Sequence, residues 1–195
     1  MMNASIFLSL LLARVAFMKA SSTDVEELEV RQWGQCNQSD HGLQFLRAYQ
    51  PVGIDHFYTS DSMEMDFATS YRGYLAEIYQ GNIFPTQVSG SIPLYRLYNP
   101  TTMDHLYTTS TAQKESAAAQ DGYRYEDIAG YVYESDVCDS VPLYHMYSYA
   151  GTDNFYTIDE EEADIAANNG YTMVGTVGWV LPYETQTATM GIPTY

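Results

Sequence analysis

Three stretches of the chain repeat one another at a fixed distance, and this constrains the fold more than anything else in the sequence. Phe45-Leu46-Arg47-Ala48-Tyr49 leads to Asp55-His56-Phe57-Tyr58-Thr59. Leu94-Tyr95-Arg96-Leu97-Tyr98 leads to Asp104-His105-Leu106-Tyr107-Thr108, and Leu143-Tyr144-His145-Met146-Tyr147 leads to Asp153-Asn154-Phe155-Tyr156-Thr157. Tyr49, Tyr98 and Tyr147 stand 49 residues apart without a gap, as do Tyr58, Tyr107 and Tyr156. Self-similarity at such a period is the mark of a repeat architecture, whose units cannot bury their apolar faces alone and must close on one another. The repeats run over about 43–91, 92–140 and 141–181, and together they form one β-rich domain.

Each copy carries the same local signals. A tyrosine-rich strand passes through a turn, Asn99-Pro100-Thr101-Thr102 in the second copy, into the Asp-His-x-Tyr-Thr strand. Both are aromatic or β-branched runs bounded by turn residues. Asp61 with Glu64, Ser110 with Gln113, and Asp159 with Glu162 then predict a capping box at the start of a short helix, each end covering an orphan amide. Gly73, Gly122 and Gly170 predict left-handed helix stops, each with Tyr74, Tyr123 or Tyr171 as an apolar lid. The chain then returns to a strand, as in Ile128-Ala129-Gly130-Tyr131-Val132-Tyr133, where Gly81, Gly130 and Gly178 match and predict a bulge or a close backbone approach. The expected fold is mainly β with short helices, three tandem repeats of about 49 residues closed with pseudo-threefold symmetry in a β-trefoil-like manner. A repeated helix is more than a plain trefoil needs, which leaves another threefold β-rich closure open.

The middle copy opens Pro93-Leu94-Tyr95-Arg96-Leu97-Tyr98-Asn99-Pro100 and continues Asp104-His105-Leu106-Tyr107-Thr108-Thr109. This pattern resembles a tandem-repeat family of fungal and bacterial secreted proteins of unknown function, over roughly residues 43 to 181. The resemblance implies a lectin-like protein with a β-trefoil-type arrangement and an extracellular location. It implies a fold and a place more than an activity.

The ends of the chain agree with secretion. Ile6 to Leu12 is an apolar run too short to span a bilayer, and Ala20-Ser21-Ser22 offers small residues to a signal peptidase. Residues 1–22 are therefore expected to be a signal peptide, 23–42 an N-terminal segment and 182–195 a C-terminal tail. The alternative is an amphipathic N-terminal helix that stays attached. Cys36 and Cys138 are the only cysteines, so an oxidising compartment allows one intramolecular bridge, closing a 102-residue loop. On the chain-entropy model such a loop is worth up to about 4 to 5 kcal/mol, and the alternative is two unrelated buried thiols. Asn37-Gln38-Ser39 is a glycosylation sequon beside Cys36.

Charge narrows the partners. The chain carries 8 basic and 25 acidic residues, a net −17. Such a surface repels phosphate backbones and anionic headgroups, so neither nucleic acid nor a membrane is an expected partner of the mature form. Hydrophobic content of 46% excludes wholesale disorder, and 19 tyrosines suit β-rich surfaces or half-buried layers.

The candidate ligand-binding residues are Asp55, His56 and Tyr58, Asp104, His105 and Tyr107, and Asp153, Asn154 and Tyr156. In the functional reading each Asp accepts from sugar hydroxyls beside a tyrosine stacking face. In the architectural reading the Asp caps a turn while the His packs, since adjacent strand residues point to opposite faces. Arg47 and Arg96, matched by His145, can pair with acids around them or contact a ligand, and structural ion pairs are the expected role. No metal site and no cofactor is expected: the histidines lack ligand spacing, and Asp159-Glu160-Glu161-Glu162 reads as acids at a helix N-terminus. Nucleophile elbows, phosphate loops and dinucleotide fingerprints are missing, which points away from an enzyme. Two function classes follow, a carbohydrate-binding lectin-like protein and, alternatively, a non-catalytic accessory subunit of a secreted enzyme such as a laccase-type extracellular oxidase.

Overall fold

A computed structural model of the chain describes Cys36 and residues 42–182. The expected signal peptide, the Asn37 sequon and the tail beyond residue 182 lie outside the described residues. The protein is mainly β with three short helices. The strands are β1 (Leu43–Gln44), β2 (Leu46–Gln50), β3 (Asp55–Thr59), β4 (Leu75–Ala76), β5 (Asn82–Ile83), β6 (Ser91–Asn99), β7 (Asp104–Thr108), β8 (Arg124–Tyr133), β9 (Val141–Ser148), β10 (Asp153–Thr157) and β11 (Thr172–Val180). The helices are α1 (Ser62–Tyr71), α2 (Thr111–Gln120) and α3 (Glu160–Asn168). Pairing is antiparallel throughout, in a six-stranded sheet of order β10-β9-β11-β8-β6-β7, a three-stranded sheet β3-β2-β4 and a two-stranded β1-β5.

Each motif pair read from the sequence forms a hairpin. Tyr49 faces His56 across β2 and β3, Tyr98 faces His105 across β6 and β7, and Tyr147 faces Asn154 across β9 and β10. The residue before each aspartate, Ile54, Met103 or Thr152, is left-handed, with φ between 54° and 58°. That region disfavours side chains with a Cβ, and β-branched ones most. Thr152→Gly is therefore expected to raise the unfolding free energy by about 1 kcal/mol. Urea denaturation measures it, and a lowered midpoint would mean that the threonine's own contacts outweigh the relief.

The helix starts depart from the capping-box expectation in one half. Asp61 accepts from the amides of Met63 and Glu64, Ser110 from Gln113, and Asp159 from Glu161 and Glu162, as expected of N-caps. The reciprocal bond is absent. Each N-cap amide donates to the hydroxyl of a threonine two residues earlier, Thr59, Thr108 or Thr157, at 3.0 to 3.1 Å. This frees the acid or amide three residues into the helix for another partner. The helix ends follow the sequence: Gly73, Gly122 and Gly170 have φ of 77°, 79° and 94°, and the amides of Tyr74, Tyr123 and Tyr171 return to Ala68, Ala117 and Ala166.

At Gly130 the expected close approach is present. A Cβ there would lie 2.6 Å from Ile83 Cδ1, and the β6–β8 register shifts beside it. The central core gathers Phe45, Tyr58, Ile83, Leu94, Tyr107, Val132, Leu143, Tyr156 and Val180. Smaller clusters lie under each helix, around Phe57, Leu106 and Phe155. Cys36 and Cys138 are joined in a disulfide. Among the described residues no helix is long and apolar enough to cross a membrane.

Candidate functional site

The three tyrosines of the second strands meet face to edge, with ring centroids 5.3 to 5.5 Å apart. Each hydroxyl accepts from the backbone amide of one tyrosine and donates to that residue's carbonyl. Tyr107 serves Tyr58 in this way at 2.8 and 2.6 Å, Tyr156 serves Tyr107 at 2.9 and 2.8 Å, and Tyr58 serves Tyr156 at 2.7 and 2.8 Å. The six bonds close a ring. Burial holds all three phenols well above their ordinary pKa.

The aspartates and histidines form a second layer. Asp and His of one strand do part, as the strand period requires, but each Asp meets the residue at the His position of another hairpin. Asp55 accepts from the His105 amide at 2.9 Å and lies 2.8 Å from its Nδ1; Asp153 does the same for His56 at 3.0 and 2.7 Å. Asp104 accepts from the Asn154 amide at 2.9 Å and from its Nδ2 at 2.7 Å. The lids Tyr74, Tyr123 and Tyr171 donate to Asp55, Asp104 and Asp153. Oxygens of the three carboxylates lie within 4.8 Å of one another, a grouping that hard divalent cations favour and that single-motif reasoning missed, because each aspartate comes from a different hairpin. Protein hydrogen bonds already engage every one of these carboxylates.

All nine candidate ligand residues are therefore buried and bonded to one another. Tyr58, Tyr107 and Tyr156 have no exposed surface, so a sugar cannot stack on them. Their repetition is architectural. Asp55, His105 and Asn154 still border open space. A cleft of about 540 Å³ between the first and second hairpins is lined by Asp55 and His105 with Phe57, Phe67, Tyr74, Tyr98, Gln50 and Arg72. A second, of about 380 Å³ between the second and third hairpins, is lined by Asn154 with Gln113, Tyr123, His145 and Tyr147.

A family model described as a domain of unknown function, DUF5648, matches residues 44–181. The chain belongs to the DUF5648 family. No curated protein and no solved structure matches it.

The DUF5648 domain makes the ion pairs expected of its arginines, the first of them beside the first cleft. Arg96 binds Glu64 of α1 through both terminal nitrogens at 2.9 Å and Glu126 of β8 through Nε at 2.8 Å, and lies over the Phe57 ring. Arg47 repeats this with Glu162 and Glu77 over Phe155. Glu64 and Glu162 are the residues released from the capping boxes. Burial alone would raise their pKa, but the arginine hydrogen bonds outweigh it and hold both below the ordinary carboxylate value. The arginines are raised for the converse reason: burial opposes their charge and is outweighed by these acids and by the neighbouring tyrosines.

The third member of the set is different. His145 stacks on Tyr156 at 4.5 Å, and its Nε2 lies 2.7 Å from Asn154 Oδ1. Since Asn154 Nδ2 donates to Asp104, its Oδ1 can only accept, which places the hydrogen on Nε2. Burial, partly offset by this bond, lowers the His145 pKa to about 4. Burial likewise raises Asp104, which lacks the imidazole partner of its counterparts, to about 7, against the hydrogen bonds from Tyr123 and Asn154.

Proposed function

We propose that the protein is a secreted, non-enzymatic, lectin-like carbohydrate-binding protein made of three units closed about a pseudo-threefold axis in a trefoil-like way. The ligand lies in the cleft between the first and second units. That cleft carries the reading: it has the volume, the aromatic faces and the convergent polar groups that small-ligand sites use. Tyr98 and Phe67 offer rings, Gln50 an amide, and Arg72, stacked on Phe67 at 5.1 Å, a donor fork at the mouth. Glu64 and Glu126 are committed to Arg96 and shape the wall. The ring of tyrosine bonds and the recurring hairpins support the threefold closure, and the disulfide together with the apolar leader supports secretion.

Screening on a glycan array tests this. Tyr98→Ala and Arg72→Ala are expected to weaken the best ligand about tenfold each, the equivalent of one hydrogen bond or stacking contact. An array with no saturable ligand, or ligands indifferent to both substitutions, would overturn it.

A second reading, an accessory subunit docked on a secreted enzyme, is favoured by one observation. Met63, Phe67 and Tyr71 recur every fourth residue along α1 and are exposed, with Leu75 and Ile78 beyond them. Met63→Glu with Tyr71→Glu would abolish co-purification with an oxidase from culture medium if docking were the function, and leave sugar binding intact.

A further inference from the structure

We propose that the cleft between the second and third units is a second binding site, built for an uncharged, hydroxyl-rich ligand such as a neutral oligosaccharide. It stands on its own lining and does not depend on the first cleft being occupied.

The inference comes from substitutions that go together. Residues at matching places in the two interfaces are Glu64 and Gln113, Arg96 and His145, Glu126 and Val174, Phe57 and Leu106, and His105 and Asn154. Around the first cleft, one arginine ties the helix acid to the strand acid. At the second interface the arginine and both acids are replaced at once, by an imidazole, an amide and an alkyl group. Removing only one member would have stranded a buried charge. The complete exchange leaves a neutral wall, and the remaining carboxylate of the lining, Asp121, lies at an exposed position at the helix end.

The exchange also leaves hydrogen-bonding capacity with no protein partner. Gln113 uses its Oε1 to accept from Thr108, and its amide hydrogens have no partner among the described residues. His145 spends Nε2 on Asn154, which makes Nδ1 an acceptor. Thr102 Oγ1 is a buried atom with no hydrogen-bond partner among the described residues, in the wall of the same cleft. Donors, acceptors and a hydroxyl around the faces of Tyr123 and Tyr147 match the alternating polar and apolar surface of a pyranose. An anionic ligand would lose its hydration there and meet no cationic side chain in the wall.

Each cleft carries its own reporter, His105 in the first and His145 in the second. The ring C–H resonances of both are followed by NMR during titration with maltose, cellobiose, lactose and chitobiose, and with cellobiouronic acid as the charged control. His145→Gln assigns the second signal. At least one neutral sugar is expected to move the His145 resonance saturably. Gln113→Ala or Tyr147→Ala is expected to weaken that response about tenfold or more and to leave any His105 response unchanged. A His145 resonance that stays still across the neutral panel overturns the proposal. So does one that moves equally with the uronic acid, or one that is indifferent to both substitutions. Failure of the first cleft as a site would appear in His105 alone.

Discussion

Tyr107→Phe is expected to lower the unfolding free energy by about 2 to 6 kcal/mol, although it removes a single oxygen atom. That oxygen accepts from the Tyr58 amide and donates to the Tyr58 carbonyl, and both groups sit where water does not reach. Deleting it strands two buried backbone groups, and each carries a desolvation penalty of about 1 to 3 kcal/mol. The phenylalanine ring would still fill the space, so packing loss is not the cause. Tyr95→Phe is the control: its hydroxyl makes one long, exposed contact with Thr111, and its loss should stay within about 0.5 kcal/mol. Urea unfolding of both variants decides the matter. Equal midpoints for the two would show that the tyrosine ring contributes packing alone.

The second large effect is hidden in the wild type by cancellation. Asp104 titrates near pH 7 in the folded chain, against 3.8 for its unperturbed value. Its stabilising contribution is therefore fully present in acid and is lost as pH rises through 7. His145 titrates near 4 against 6.5, so its contribution is full above 6.5 and is lost as pH falls through 4. Asp104 faces Tyr123 and Asn154, with Asp55 and Asp153 close by; His145 faces Asn154 and lies on Tyr156. Between pH 7 and 5, above the range where Glu64 and Glu162 take up protons, the two terms are about 2 kcal/mol each and opposite in sign. Asp104→Asn is expected to expose a loss of stability on acidification, and His145→Gln a gain, each relative to a wild type with little slope from this pair. Denaturation midpoints at pH 5, 6 and 7 measure it. Two variants with the wild-type slope would remove both groups from the account.

Much of the fold can be read in the sequence because its signals are local. Hairpins, helix starts and glycine stops are each fixed within a few residues, and three copies of every signal agree. The two cysteines left one possible pairing, and it is the one present. The site was less legible because it lies between copies. The strand period correctly separates Asp55 from His56, but nothing in either motif says that Asp55 will meet His105 from the next hairpin. Glu64 has the spacing of a capping-box acid, yet Thr59 already covers the cap amide, which lets Glu64 cross to Arg96. The sequence offers Tyr58, Tyr107 and Tyr156 as binding faces, whereas their identity in all copies goes with their shared burial. What distinguishes one cleft from the other is found at positions where the copies disagree, such as Phe67 and Ser116 or Arg72 and Asp121, while Tyr98 and Tyr147 are shared.

The tyrosine ring is closed by side chains, and the peptide links between hairpins take no part in it. A protease cut after Cys138, in the loop between Tyr133 and Val141, would keep the Cys36–Cys138 disulfide within the first piece and break none of the six hydrogen bonds of the ring. The two pieces are expected to remain together as a non-covalent complex, and a circularly permuted chain with new ends in that loop should fold. What the ring does fix is number. With two hairpins, one tyrosine amide would find no hydroxyl; a peptide carrying a single hairpin would have to assemble as a trimer to hide its own backbone.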